Sequence, residues 1–143
     1  PPGGGRNPIT DRFVRHFNVV GYAEMSNHSK EMIFSQILST FLSSFDPAVA
    51  QLCDGIVQST MELYGQICAE LLPTPIKPHY TFNLRDLAKV FQGILMSSEK
   101  KVKTANDVIK LWVHECTRVY GDRTVNNQDR TWFLDVVTSP KTN

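Results

Sequence analysis

The stretch Thr81–Ser97, TFNLRDLAKVFQGILMS, leaves the chain little choice but a helix with one buried face. Leu84, Leu87, Val90, Phe91, Ile94 and Leu95 recur at spacings of three and four, which lines them along a single stripe. The start of the helix is marked as well. Asn83 is a good N-cap, and the Asp86 carboxylate can return a hydrogen bond to it, a variant of the capping box. Arg85 is the residue out of place, because the dipole of a helix disfavours a cation in its first turn. An arginine beside the free N–H groups of a helix start is suited to a phosphate. On spacing alone, a solvated surface arginine is the simpler reading.

The rest of the chain reads as helices tied by short connectors. PPGGGRNP at the start is a Gly/Pro loop; a Walker loop would need Gly-Lys-Ser/Thr where Arg-Asn-Pro follows. Ile9–His16 predicts a short helix capped by Thr10 or Asp11, with Arg12 and Arg15 pointing the same way from it. Phe17–Tyr22, FNVVGY, predicts a strand that would need partners from elsewhere. Ser26 or Asn27 opens a helix to about Ser44, with Ile33, Ile37, Leu38, Phe41 and Leu42 along its inner side. Asp46-Pro47 starts the next, predicted to run unbroken to about Leu72 with a stripe from Val49 to Leu71. Pro73, Pro75 and Pro78 impose an extended connector. Thr104 with Asp107 opens a helix to about Tyr120, with Val108, Ile109, Leu111, Trp112, Cys116 and Val119 inside. Asn126–Phe133 suggests one more short helix, and Leu134–Asn143 a frayed tail.

Composition excludes several classes. With 143 residues, 41% hydrophobic and 20% charged, the chain can build one domain or two small subdomains. A net charge of +1 gives no electrostatic footprint for nucleic acid. No apolar run has the length to cross a bilayer, and no signal peptide pattern is present. Cys53, Cys68 and Cys116 sit in apolar helical patterns and read as reduced core thiols of an intracellular protein. His16, His28, His79 and His114 are scattered, with no metal-binding pair among them, and no nucleophile elbow or carboxylate pair stands out. The abrupt opening on PPGGGRNP suggests a piece of something longer.

Four strings then carry a resemblance: Pro1–Pro8 (PPGGGRNP), Arg12–Asn18 (RFVRHFN), Leu72–Pro75 (LPTP) and His79–Gly93 (HYTFNLRDLAKVFQG). In this order and separation they resemble the third AAA+ module of dynein heavy chains, the axonemal ones most closely, over nearly the whole chain. The resemblance implies a mainly α fold: a helical-bundle lid preceded by a short helix and the last strand of a truncated α/β core. Residues 1–24 would end that core, 25–133 would form the lid and 134–143 a disordered tail. Walker A and B motifs would precede Pro1, and a stalk with a microtubule-binding tip would lie beyond Asn143.

The same resemblance assigns roles. Arg12 and Arg15, Arg12 preferred, match the arginine finger that reaches the γ-phosphate held by the preceding module. Arg85 matches the sensor arginine that contacts nucleotide in its own module. The whole module would use ATP or ADP with Mg, in a regulatory capacity, whereas the isolated piece would bind little or none. Expected partners are neighbouring AAA+ modules, other dynein chains and, through distant parts of the parent chain, microtubules; nucleic acid and membrane are not expected. The setting would be the cytoplasm, the cytoskeleton and the axoneme of a cilium or flagellum. The alternative reading is a free-standing helical interaction module without catalysis.

Overall fold

The computed structural model describes residues 9–138, and these form helices without a strand among them. A one-turn helix, α1 (Asp11–Val14), is followed by irregular chain to Ser26. Then come α2 (Asn27–Leu42), α3 (Pro47–Ala50), α4 (Cys53–Glu70), α5 (Leu84–Leu95), α6 (Ala105–Val119) and α7 (Asn127–Thr138). A 3₁₀ turn, Gly121–Arg123, sits between the last two. None of the described helices is long and apolar enough to cross a membrane.

Local chemistry explains the helix starts. Ser26 caps α2 by accepting the Ser29 N–H, and Asp46 caps α3 by accepting the Ala48 N–H, with Pro47 at the first helical position. Capping boxes open both α5, from Asn83 and Asp86, and α6, from Thr104 and Asp107.

Packing then selects which side of each helix is buried. Against α4 and α5, α2 turns Phe34, Leu38 and Leu42, while Ile33 and Ile37, expected inside, stay 40% and 44% exposed. The i, i+4 ridge through positions 34, 38 and 42 sets that contact, and the 33/37 ridge lies one step around the helix. Ile109 and Leu84 are likewise exposed at 46% and 38%. Phe34 stacks on Phe91 of α5 with ring centroids 4.3 Å apart, and α5 pairs with α6. At the centre, Thr60 of α4 accepts the Trp112 indole N–H at 2.8 Å and donates to the Ile56 carbonyl at 2.6 Å.

Three expectations are corrected. The single helix expected from Pro47 to Leu72 is two, broken at Gln51–Leu52, where Leu52 N–H bonds the Val49 carbonyl in the tighter i, i+3 pattern. The short α3 packs on α6 and α2 with Val49 wholly buried, while α4 runs along α2 and against α5. One straight rod could not make both sets of contacts.

The strand expected at Phe17–Tyr22 does not form. Phe17, Val19, Val20 and Tyr22 are 59–94% exposed, because the described residues offer no second strand to share backbone hydrogen bonds. The tail expected from Leu134 is helical as far as Thr138, since Val137 and Phe133, one turn apart, both enter the core. The loop PPGGGRNP and positions 139–143 lie outside the described residues.

Candidate functional site

The first turn of α5 concentrates the polar chemistry. Asn83 Oδ1 accepts the Arg85 N–H at 2.9 Å, and Asp86 Oδ2 accepts the Asn83 N–H at 3.2 Å. The Asn83 carbonyl takes the N–H groups of Asp86 and Leu87. These donors, read from the sequence as open to a phosphate, are therefore engaged by the cap. What the turn presents outward is the exposed Arg85 side chain, which makes no ion pair among the described residues.

Arg123, from the 3₁₀ turn after α6, closes over the same segment. Its Nη1 lies 3.0 Å from Asp86 Oδ2, and its Nη2 donates to the carbonyls of His79 at 2.7 Å and Thr81 at 3.2 Å. The guanidinium carbon stands 4.5 Å from the centre of the Phe82 ring. His79 Nε2 donates in return to the Arg123 carbonyl at 3.2 Å.

Asp86 is thereby a buried carboxylate, 5% exposed. Burial alone would raise its pKa, but the Asn83 N–H, the Lys89 ammonium at 3.2 Å and Arg123 together hold it below the ordinary value. Nothing in local spacing gives Arg123 away, because its partners lie 37 to 44 positions upstream. Only the Asp86–Lys89 pair, three apart on a helix, could be read from the sequence.

A second clasp fixes the connector just before α5. Tyr80, 2% exposed, donates its hydroxyl to Asp129 of α7 at 2.7 Å and accepts the Val125 N–H at 2.9 Å, and Lys77 pairs with the same Asp129 carboxylate. The second half of the proline-ordered connector, Lys77 to Thr81, is thus tied to the 3₁₀ turn, to Val125 and to the first turn of α7.

Two clefts flank the start of α5. One, of about 380 Å³, is lined by Thr81, Asn83, Asp86, Lys89, Arg118 and Arg123. The other, of about 520 Å³, runs between α2, α4 and the start of α5, with Lys30, Tyr64, Cys68, Asn83 and Leu84 on its walls. Burial raises the thiol of Cys68 and pushes the Tyr64 hydroxyl up to about 12, so neither is a nucleophile near neutral pH. Cys53 and Cys116 are buried, and burial raises both of their thiols.

Arg12 lies on α1 and Arg15 directly follows it; both are exposed, and Arg15 Nε donates to the His16 ring at 3.2 Å. Because α1 buries no residue, nothing in the bundle fixes where these two point. No hydrogen bond or ion pair among the described residues joins them to Arg85. No group of three potential metal ligands occurs among the described residues.

The family whose description is the AAA+ lid domain matches residues 56–142, from the first turns of α4 through α7. The chain belongs to the AAA+ lid family. This lid is 47% identical to human dynein axonemal heavy chain 6 over 138 residues, 96% of the chain and 3% of that protein. Human dynein axonemal heavy chain 1 is 47% identical over 145 residues, covering 93% of the chain and 3% of the relative. Rat dynein axonemal heavy chain 12 is 45% identical over 136 residues, 94% and 4% respectively. The lid thus spans only 3–4% of the length of these relatives. The resemblance expected from the sequence and the mainly helical bundle are both borne out.

Proposed function

We propose that this chain is the lid of the third AAA+ module of an axonemal-type dynein heavy chain, together with the end of the α/β core before it. In the assembled ring it contributes arginines to two nucleotide sites. Arg85 reaches the phosphates of nucleotide bound in its own module. Arg12 or Arg15 reaches nucleotide held by the neighbouring module, as a finger supplied in trans. The observation that carries this reading is Arg85 itself. It is an exposed cation in the first turn of a helix where the Arg85, Asp86 and Leu87 N–H groups are already taken by Asn83, within a chain 47% identical to an axonemal heavy chain across 96% of its length.

The chemistry suits these positions. A guanidinium is planar and permanently charged, and its fork matches the equatorial oxygens over which charge spreads in phosphoryl transfer. A finger on α1, outside the packed bundle, is set by contacts made across the module boundary. Arg85, on a capped helix, is aimed by the lid. When ATP is bound it supplies the phosphate charge toward which both groups turn. Mg²⁺, if held there, would draw on residues of the whole module, since the described residues offer no cluster of metal ligands.

Gain or loss of the phosphate would change how lid and neighbouring core pack, a rigid-body switch suited to regulation of the motor. The parent would be an ATP-hydrolysing microtubule motor of the axoneme, working beside other AAA+ modules.

The test uses the longer heavy chain, with the upstream core and the adjoining module present. Arg12→Ala or Arg15→Ala should lower turnover at the neighbouring site by roughly a thousand-fold, as loss of an arginine finger does. Arg85→Ala should weaken nucleotide affinity in its own module by about ten-fold, equivalent to about 1.4 kcal/mol. If all three variants turn over and bind as wild type does, the arginines are surface charges and the assignment fails.

A further inference from the structure

We propose that Arg123 is a positioning residue for Arg85, holding the turn that carries it in the geometry for phosphate contact. The proposal rests on the reading of Arg85 given above. Arg85 has no partner among the described residues to hold its guanidinium, so its direction is set by the backbone beneath it. That backbone is fixed from two sides. The Asn83 cap holds it from within the helix, and Arg123 holds it from outside, through acceptors on both flanks of position 85. Upstream are the carbonyls of His79 and Thr81, at 2.7 and 3.2 Å; downstream is the Asp86 carboxylate, at 3.0 Å.

Three features make this more than a stray surface contact. The Arg123 side chain is only 28% exposed, and its fork engages three acceptors at once while lying over Phe82. An ammonium group, a compact charge without the planar fork, cannot reproduce that set. Second, Asp86 Oδ2 is shared between the Asn83 N–H of the capping box and Arg123, so the cap and the clasp act on one atom. Loss of Arg123 leaves the buried carboxylate with Lys89 as its remaining cation, and Lys89 is more than half exposed. Third, the His79 ring bonds back to the Arg123 carbonyl, so the two backbones are held reciprocally. A phosphate contact is directional to within a few tenths of an ångström, and a turn released on one side loses that register.

The experiment is a double-mutant cycle in the longer heavy chain, with nucleotide binding by its other modules abolished. A fluorescent ADP analogue serves as the probe, and every variant's melting midpoint is recorded. Arg85→Ala should weaken binding about ten-fold and Arg123→Ala about five-fold, while the double variant should bind no more weakly than Arg85→Ala alone. Arg123→Lys should recover little of the loss. Additive losses, or an Arg123→Ala variant that melts earlier yet binds as wild type does, would overturn the proposal and leave Arg123 a purely structural residue. Wild-type affinity in Arg85→Ala would bring down the reading of Arg85 itself, and the role of Arg123 with it.

Discussion

The Glu115 carboxylate occupies the space a β-carbon on Gly93 would need: such a carbon would stand 1.9 Å from Oε2. Glycine in the middle of α5 costs helix propensity, about 1 kcal/mol relative to alanine, and here the cost admits a buried acid from α6. Arg118 satisfies that acid with two donors to Oε2, at 2.8 and 2.6 Å. Gly93→Ala should therefore destabilise the bundle by about 1 to 2 kcal/mol, through displacement of Glu115 from its partner. In a Glu115→Ala background the same substitution should be neutral or stabilising, because the obstruction is gone and alanine favours the helix. Chemical denaturation of the four variants measures this; equal effects in both backgrounds would refute the steric account. Nothing in the local sequence marks Gly93 and Glu115 as neighbours. Their pairing belongs to the α5–α6 contact, which no local pattern encodes. Arg85 was legible because it violates a local rule, whereas Arg123 obeys every local rule and its partners are far away in the chain.

At the scale of elements, what could be read were the ends. Both capping boxes and the Asp46-Pro47 start are contained within four residues, so their chemistry is complete in the local sequence. What could not be read was where an apolar stripe would stop being straight. The 47–72 pattern is continuous, and only the competing pulls of α6 and α2 break it at Gln51–Leu52.

The clasp on α5 carries a pH signature. The Asp86 pKa is lowered in the folded chain from its usual 3.8, so its interactions contribute stability that is fully present above that value. The contribution is lost as the pH falls through the lower, folded value. Asp86→Asn should be less stable at neutral pH and should lose less on acidification below about pH 4. It should not become pH-independent, since Asp107 and Asp129 are lowered as well. Urea midpoints measured from pH 7 to pH 2.5 test this, and parallel curves for variant and wild type would exclude Asp86 as a contributor.

The whole molecule divides by burial. The described residues before α2 place nothing in the core, whereas residues from Phe34 to Val137 share one apolar cluster. A chain beginning at Met25 should therefore keep the stability of the full chain to within about 0.5 kcal/mol. A loss beyond about 2 kcal/mol would mean that the leading segment supports the bundle after all. The separation fits a lid whose core is complete without the leading segment, whose apolar side chains Phe17, Val19, Val20 and Tyr22 stay exposed.

The two clasps also shape the order in which the molecule comes together. Tyr80 with Asp129 and His79 with Arg123 join positions 49 and 44 apart, whereas α5 and α6 meet through a short connector. Closing a long loop of free chain costs conformational entropy before any contact rewards it. Once the α5–α6 hairpin exists, most of that loop is already rigid and the remaining search is short. The two clasps that hold the turn bearing Arg85 therefore close at a lower entropic cost once α5 and α6 are paired than they would in free chain.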